Sequence, residues 1–181
     1  LHIADKLEGT GHVEARDLTA YKVGLIRENI ERMQAGNVEA VEKDATAEDK
    51  SILGKADIVL ADVPCSGLGV IGKKPDIKYR MDEEQIQELA VLQKRILHNA
   101  AGYVKPGGTL IYSTCTVTPE ENQENVRWFL ENYPYRLESL DPCLPGVFHN
   151  EDTARGYLQL LPGVYGTDGF FLAKLIREEE S

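Results

Sequence analysis

Two cysteines sit where a chain could use them as nucleophiles. Cys115 ends the run Leu110-Ile111-Tyr112-Ser113-Thr114, and Cys65 follows Asp62-Val63-Pro64 at the end of Ala56-Asp57-Ile58-Val59-Leu60-Ala61. A free cysteine is mostly protonated near neutrality, yet its thiolate is a strong nucleophile. Helix N-termini lower a thiol's pKa, and Pro119 is placed to open a helix just beyond Cys115. Taken alone, a cysteine is more often a small buried hydrophobe. Here the company is suggestive, because three aspartates also fall at strand ends: Asp17, Asp44 and Asp62. A carboxylate accepts two hydrogen bonds from a vicinal diol, so Asp17 suits the ribose of a nucleotide-like ligand and Asp44 an adenine amino group. On spacing alone, Asp17 serves equally well as a cap for the helix starting near Thr19, and Asp44 as a loop cap.

The segment Asp62-Val63-Pro64-Cys65-Ser66-Gly67-Leu68-Gly69 is more specific. Proline ends a strand ladder, and glycines let backbone approach a ligand closely. Just downstream, Lys73, Lys74, Lys78 and Arg80 surround Pro75 and Tyr79. Cations with one aromatic suit a nucleic-acid backbone and a stacked base, although a solvated charge run is the commoner meaning of such a stretch. The net charge of −10 argues against a uniformly basic nucleic-acid binder, so any such surface must be local.

These residues need elements to position them. Helical spacing covers residues 1–7, stopped by Gly9 and Gly11, and a short strand from His12 ends at Asp17. Tyr21 to Met33 predicts a helix burying Val23, Ile26, Ile30 and Met33, closed by Gly36-Asn37 as a left-handed stop. Val38 to Lys43 predicts a strand ending at Asp44, and Ala56 to Ala61 one apolar enough to be buried on both faces. A long helix from about Asp82 to Val104, a Lys105-Pro106-Gly107-Gly108 turn and a strand from Thr109 follow. The expected remainder is a helix from Pro119 to Tyr133 and strands at Tyr135 to Leu140, Tyr157 to Leu161 and Phe170 to Arg177. Strands alternating with helices predict one α/β domain over residues 1–181, with a mainly parallel sheet and helices on both faces. In such sheets ligands bind beyond the carboxyl ends of the strands, which is where the aspartates and cysteines fall.

Composition narrows the function further. A chain of 181 residues can bury one real core, and no apolar run is long enough for a membrane helix. Three cysteines with no paired spacing suit a reducing cytoplasm and free thiols. Cys143, in Asp141-Pro142-Cys143-Leu144-Pro145, reads as structural or incidental. His2, His12, His98 and His149 show no ligand spacing, so no metal is expected.

Four motifs in order, DVPCSGLG (Asp62 to Gly69), KPDIKYR (Lys74 to Arg80), YSTCT (Tyr112 to Thr116) with EEN (Glu120 to Asn122), and GTDGFFLAKL (Gly166 to Leu175), resemble the NOL/NOP/Sun RNA cytosine-C5 methyltransferases. Among these the likeness is to the bacterial Sun (Fmu) type acting on small-subunit ribosomal RNA. The resemblance implies a Rossmann-like, S-adenosylmethionine-dependent methyltransferase fold. It implies Cys115 as the nucleophile, Cys65 as the cysteine serving product release, and Asp62 beside both target base and methyl donor. It also implies Asp17 and Asp44 as contacts to the ribose and adenine of S-adenosylmethionine. Lys73, Lys74, Lys78 and Arg80 are then the candidate RNA contacts.

Departures from the family pattern carry expectations of their own. An Ala-Pro-Gly-Gly-Lys loop and its strand, which precede the segment matching His2-Ile3-Ala4 in the family, are not in this sequence, and Pro162-Gly163 stands where many members have Pro-His. The resemblance therefore implies weak or no methyl-donor binding by this chain alone, an inactive isolated chain, and a sheet with two unpaired edges. A non-catalytic RNA- or ribosome-binding module with the same fold is the rival reading. An oxidoreductase with a nicotinamide cofactor fits Asp17 but leaves both strand-end cysteines unexplained, with no G-x-G-x-x-G in support.

Overall fold

The computed structural model describes residues 1–179, the side chain of Lys78 excepted. It divides into two units, one of Leu1–Glu48 and one from Asp49 onward. The first holds a short helix, His2–Lys6 (α1), then Val13–Asp17 (β1), Ala20–Met33 (α2) and Val38–Glu42 (β2). β1 and β2 pair in parallel, from Val13 opposite Val38 to Asp17 opposite Glu42. The crossover between them is α2, whose cap Thr19 accepts a hydrogen bond from the Lys22 N–H at 3.4 Å. Val23 is buried as the periodicity requires, but Met33 is exposed. The left-handed exit from α2 falls on Gln34 (φ +52°), two residues earlier than the expected Gly36-Asn37 stop.

The second unit contains Ala56–Asp62 (β3), Glu83–Tyr103 (α3), Val104–Thr114 (β4), Gln123–Asn132 (α4), Tyr135–Leu137 (β5), Glu151–Arg155 (α5), Tyr157–Leu160 (β6) and Phe170–Arg177 (β7). Its sheet runs β3-β4-β7-β5, with β6 also on β7. β3 and β4 are parallel, whereas β7 is antiparallel to β4, β5 and β6. The sheet is thus mixed, and the mainly parallel expectation is corrected by one strand. After β6 the chain turns back through Pro162 to Gly169 instead of crossing over with a helix, so β7 enters against its neighbours.

The core lies under β4 and β7. Leu110, Tyr112, Phe171 and Ala173 are fully buried there, packed with Leu97 of α3 and Phe129 of α4. β3 behaves otherwise: Ile58 is 66% and Leu60 52% exposed, so its apolar run is not buried on both faces. β3 is the end strand of its sheet, and α3 packs along it. Lys105-Pro106-Gly107-Gly108 is not a separate turn but part of β4, with the β3–β4 register shifting between Ala56 and Ile58 to take up the extra residues. Glycine is required at 108, since a Cβ there would stand 2.9 Å from the Asp57 carbonyl oxygen.

One helix boundary differs from expectation, and one helix is additional to those predicted. α4 starts at Gln123, with Pro119 to Asn122 forming a turn before it. The Gly- and Pro-rich stretch after Pro142, for which the sequence predicts no helix, contains α5, set by a capping box between Asn150 and Thr153 and ended by left-handed Gly156.

Candidate active site

Parallel pairing brings the ends of β3 and β4 together, with Asp62 opposite Ser113. The Ser113 hydroxyl donates to Asp62 Oδ1 at 2.9 Å and so orients that carboxylate. Three residues beyond Asp62 the chain delivers Cys65, and β4 delivers Cys115 just past Thr114. Their Sγ atoms lie 3.0 Å apart, and the Cys115 N–H donates to Cys65 Sγ at 3.2 Å. Burial, then the hydrogen bond and charge of Cys115, push the Cys65 thiol up to about 12. At neutral pH, Cys65 is therefore a protonated thiol facing Cys115. The helix invoked from Pro119 to activate Cys115 is not beside it, because α4 begins eight positions later at Gln123.

Glycines seat the loop that follows Cys65. The Gly69 N–H donates to the Cys115 carbonyl at 3.0 Å, and the Gly169 N–H donates to the Gly69 carbonyl at 2.7 Å. A Cβ on Gly69 would stand 2.7 Å from the Cys115 carbonyl oxygen, so no larger residue fits this approach. Lys73 adds an ion pair to Asp168 at 2.6 Å, tying the same loop to the segment before β7.

Other residues singled out by sequence are placed as follows. In the first unit, Asp17 ends β1; its Oδ1 accepts from the Thr19 N–H at 3.2 Å and its Oδ2 lies 3.6 Å from Lys22 Nζ. The helix cap is Thr19, so Asp17 is not itself the cap. Asp44 lies two residues past β2, and its Oδ1 accepts from the N–H and hydroxyl of Thr46 at 2.8 and 2.7 Å. Among the candidate RNA contacts, Arg80 pairs with Asp76 at 3.4 Å and Lys73 with Asp168, while Lys74 leads into the Pro75–Tyr79 turn. The Lys78 side chain lies outside the described residues. Tyr79 is 81% exposed on that turn. Cys143 is exposed, in the short turn before α5. No group of three or more His, Cys, Asp or Glu residues suited to a metal occurs among the described residues, and no helix there is long and apolar enough to cross a membrane.

Residues 1–176 match the family model for the 16S rRNA methyltransferases RsmB/F. The chain belongs to that family. It is 37% identical over 175 residues to the ribosomal RNA small subunit methyltransferase F of Cronobacter sakazakii, covering 96% of this chain and 36% of the relative. With a probable ribosomal RNA small subunit methyltransferase B of Bacillus subtilis it shares 38% identity over 177 residues, covering 96% of this chain and 39% of the other. The crystal structure of NSun6 from Pyrococcus horikoshii with SFG superposes with a TM-score of 0.80 at 29% identity, over 99% of this chain and 44% of that one. The RsmB/F chain therefore has an α/β methyltransferase fold and spans little more than a third of the length of its curated relatives.

Beneath the thiols of this RsmB/F chain lies a polar network that sequence reasoning missed. Glu121, fully buried, accepts from the Ser66 N–H (3.0 Å) and Gln93 Nε2 (2.8 Å) at Oε2, and from the Ser66 and Thr118 hydroxyls (2.5 and 2.8 Å) at Oε1. Gln93 also donates to the Pro64 carbonyl at 2.9 Å, and the Ser66 hydroxyl meets that of Thr116 at 2.7 Å. The available signals were the Glu120-Glu121-Asn122 run, to which the sequence attaches no role, and Gln93, a polar residue on the face of α3 that buries Ala90, Leu97 and Ala101.

Proposed function

We propose that this chain carries the catalytic thiols of an S-adenosylmethionine-dependent enzyme that methylates carbon 5 of a cytosine in small-subunit ribosomal RNA. The observation that carries the reading is the pair of thiols 3.0 Å apart at the shared end of β3 and β4, with Asp62 beside them. Carbon 5 of cytosine is a poor nucleophile until a thiolate adds to carbon 6. Cys115 is assigned that attack. Asp62, held by Ser113 through one carboxylate oxygen, accepts from the cytosine amino group through the other and so orients the ring for that attack. Once carbon 5 is methylated, its proton passes to a base, the carbon 6–sulfur bond breaks and Cys115 leaves. Cys65 is assigned to that release.

The donor set in the first unit suits an adenosine-containing methyl donor. Asp17 and Asp44 bring acceptor oxygens to the ends of two adjacent parallel strands, and each carboxylate has its Oδ1 held by a nearby threonine. Asp17 is assigned to the ribose and Asp44 to the adenine amino group, while Asp62 is assigned to the side facing the methyl. The donor supplies an electrophilic methyl carried on a sulfonium. The target base must be unpaired or flipped to reach the thiols. Lys73, Lys74, Lys78 and Arg80 are assigned to its flanking phosphates, and Tyr79 is available for stacking. The two units are read as parts of one methyltransferase domain working in a reducing cytoplasm.

The test uses the longest gene product containing this chain, unmodified small-subunit ribosomal RNA and the methyl donor. A protein–RNA adduct that survives denaturation should accumulate in Cys65→Ala and be missing in Cys115→Ala. The reverse pattern swaps the two roles. If neither the variants nor the unsubstituted protein methylates or links to RNA, the non-catalytic RNA-binding reading replaces this one.

A further inference from the structure

The two cysteines are held by different means. Cys115 directly follows β4, an interior strand paired with β3 on one side and β7 on the other through Thr114. The hydroxyl of Thr114 also donates to Asn122 Oδ1 at 2.6 Å. Cys65 has no such ladder, since β3 stops at Asp62 and the chain continues as loop. Besides the Val63 N–H to the Ser113 carbonyl and the Cys115 N–H to Cys65 Sγ, what anchors the chain on either side of Cys65 is the pair Glu121 and Gln93. The Glu121 carboxylate takes the N–H and hydroxyl of Ser66, the residue after Cys65, and its partner Gln93 takes the carbonyl of Pro64, the residue before. The flank after Cys65 is thus fastened to buried Glu121 directly, and the flank before it through Gln93, which Glu121 itself binds. The remaining donor to Glu121, the Thr118 hydroxyl, and the Ser66–Thr116 contact fasten the same network to the segment just after Cys115.

Such burial has a cost that packing alone does not explain. A carboxylate taken fully out of water is strongly disfavoured unless its lone pairs are satisfied, and an apolar residue would fill the space more cheaply. Here four donors converge on the two oxygens, and all of them come from the loops bearing the cysteines or from α3 beneath. We propose that Glu121 is a positioning residue that holds Cys65 within reach of Cys115, and that its contribution to the reaction falls on release of the covalent adduct.

The second half rests on the function proposed above. In release, the carbon 5–hydrogen bond breaks and its proton passes to a solvent-borne base. The electron pair of that bond re-forms the carbon 5–carbon 6 double bond. The carbon 6–sulfur bond breaks and its pair goes to Cys115 Sγ as a thiolate. A neutral Cys65 S–H, 3.0 Å away, donates a hydrogen bond to the departing sulfur and makes it a better leaving group. Burial, the largest cause of its raised pKa, keeps Cys65 protonated for that purpose. Attack on carbon 6 needs Cys115 alone. Loosening Glu121 should therefore slow release more than methyl transfer.

Proximity of the thiols can be read without RNA. Hydrogen peroxide oxidises one thiolate to a sulfenic acid, and the neighbouring thiol displaces water to give a disulfide with loss of two hydrogens. In this chain, at a temperature where circular dichroism shows every variant folded, Glu121→Ala should slow Cys65–Cys115 disulfide formation at least about tenfold. Glu121→Gln should stay within about threefold of the unsubstituted chain, because an amide can accept from Ser66 and Gln93 and donate to the two hydroxyls. A purely structural Glu121 would lower the melting temperature of Glu121→Ala and leave the rate of the folded protein unchanged, which would overturn the proposal. Should Glu121→Ala fail to fold, the double substitution Ser66→Ala/Gln93→Leu, which removes the Ser66 hydroxyl and the Gln93 link to Pro64, carries the test, and an unchanged rate there overturns the proposal. In the longest gene product with RNA and methyl donor, Glu121→Ala should retain first-turnover methylation and accumulate the adduct. Retained methylation with no accumulation removes the assignment to release. An unsubstituted protein that never methylates sinks the functional reading instead, and the peroxide rates still decide whether Glu121 positions Cys65.

Discussion

Cys65 Sγ lies 3.0 Å from Cys115 Sγ and also accepts the Cys115 N–H at 3.2 Å. Sequence separates the two residues by fifty positions, and the pairing of β3 with β4 brings them together. Each thiol then belongs to the other's electrostatic environment, so substitution of one changes the chemistry of its neighbour.

That coupling has a counter-intuitive consequence for reactivity. Burial first, and then the hydrogen bond and charge of Cys115, hold Cys65 protonated up to about 12. Removing Cys115 takes away the second and third causes and opens space beside Cys65. In Cys115→Ala, Cys65 should therefore react with iodoacetamide at pH 8 at least about threefold faster than in the unsubstituted chain. Site-resolved mass spectrometry reads this directly, with exposed Cys143 as the internal standard. An unchanged or slower rate at Cys65 would show that the thiols are not coupled.

Three groups in the second unit make the fold sensitive to alkali. Burial raises the Cys65 thiol from 9.0 to about 12 and the Tyr135 phenol from 10.0 to about 12, and it raises Tyr112 as well. The unfolded chain gives up these protons first, so it binds fewer of them between about 9 and 12 and is favoured there. Stability should be fully present below pH 9 and fall steadily as pH rises toward 12. Tyr135→Phe should flatten part of that fall at the expense of the hydrogen bond to the Ala101 carbonyl. Urea titrations at a series of pH values measure the slope, and a midpoint constant through this window would contradict the assignment.

Gly69 tests how tightly the loops are seated. A methyl at this position meets the Cys115 carbonyl oxygen at 2.7 Å and the backbone of Gly169, neither of which is a flexible side-chain end. Gly69→Ala should cost roughly 1–3 kcal/mol by overpacking and should slow the peroxide-driven coupling of Cys65 to Cys115. At Gly72 nothing lies within 4 Å of an added Cβ, so Gly72→Ala should be neutral or slightly stabilising. Equal melting temperatures for the two variants would show that the close approach is not needed.

The basic segment makes a prediction about salt. If Lys74 and Arg80 meet phosphates, the double substitution Lys74→Ala/Arg80→Ala should lower RNA affinity and reduce the slope of log K against log salt by roughly 1.5–2. Arg80 must exchange its pair with Asp76, a 3.4 Å contact between exposed groups that contributes little to stability. Filter binding across a salt series provides the measurement. An unchanged slope moves the RNA surface elsewhere on the protein.

Much of the fold was legible before the structure. β1, α2, β2, α3 and β7 fall within a residue or two of where periodicity put them, because each is a local pattern of apolar spacing and capping residues. The positions of the side chains assigned to chemistry were legible too, since Asp62 ends β3, Cys65 lies three residues beyond it and Cys115 directly follows β4. Whatever depends on partners distant in sequence was not. The direction of β7 hangs on a return turn that periodicity does not encode, and the exposure of Ile58 and Leu60 depends on which strand ends the sheet. Glu121 stands in the sequence only as part of the Glu120-Glu121-Asn122 run, with no role attached to it. Only the tertiary structure turned it into the buried acceptor that gathers Ser66, Gln93 and Thr118 beneath the two thiols. A hydrogen bond is short-ranged and directional, so its existence is decided by where the folded chain places both partners, and sequence specifies only one of them at a time.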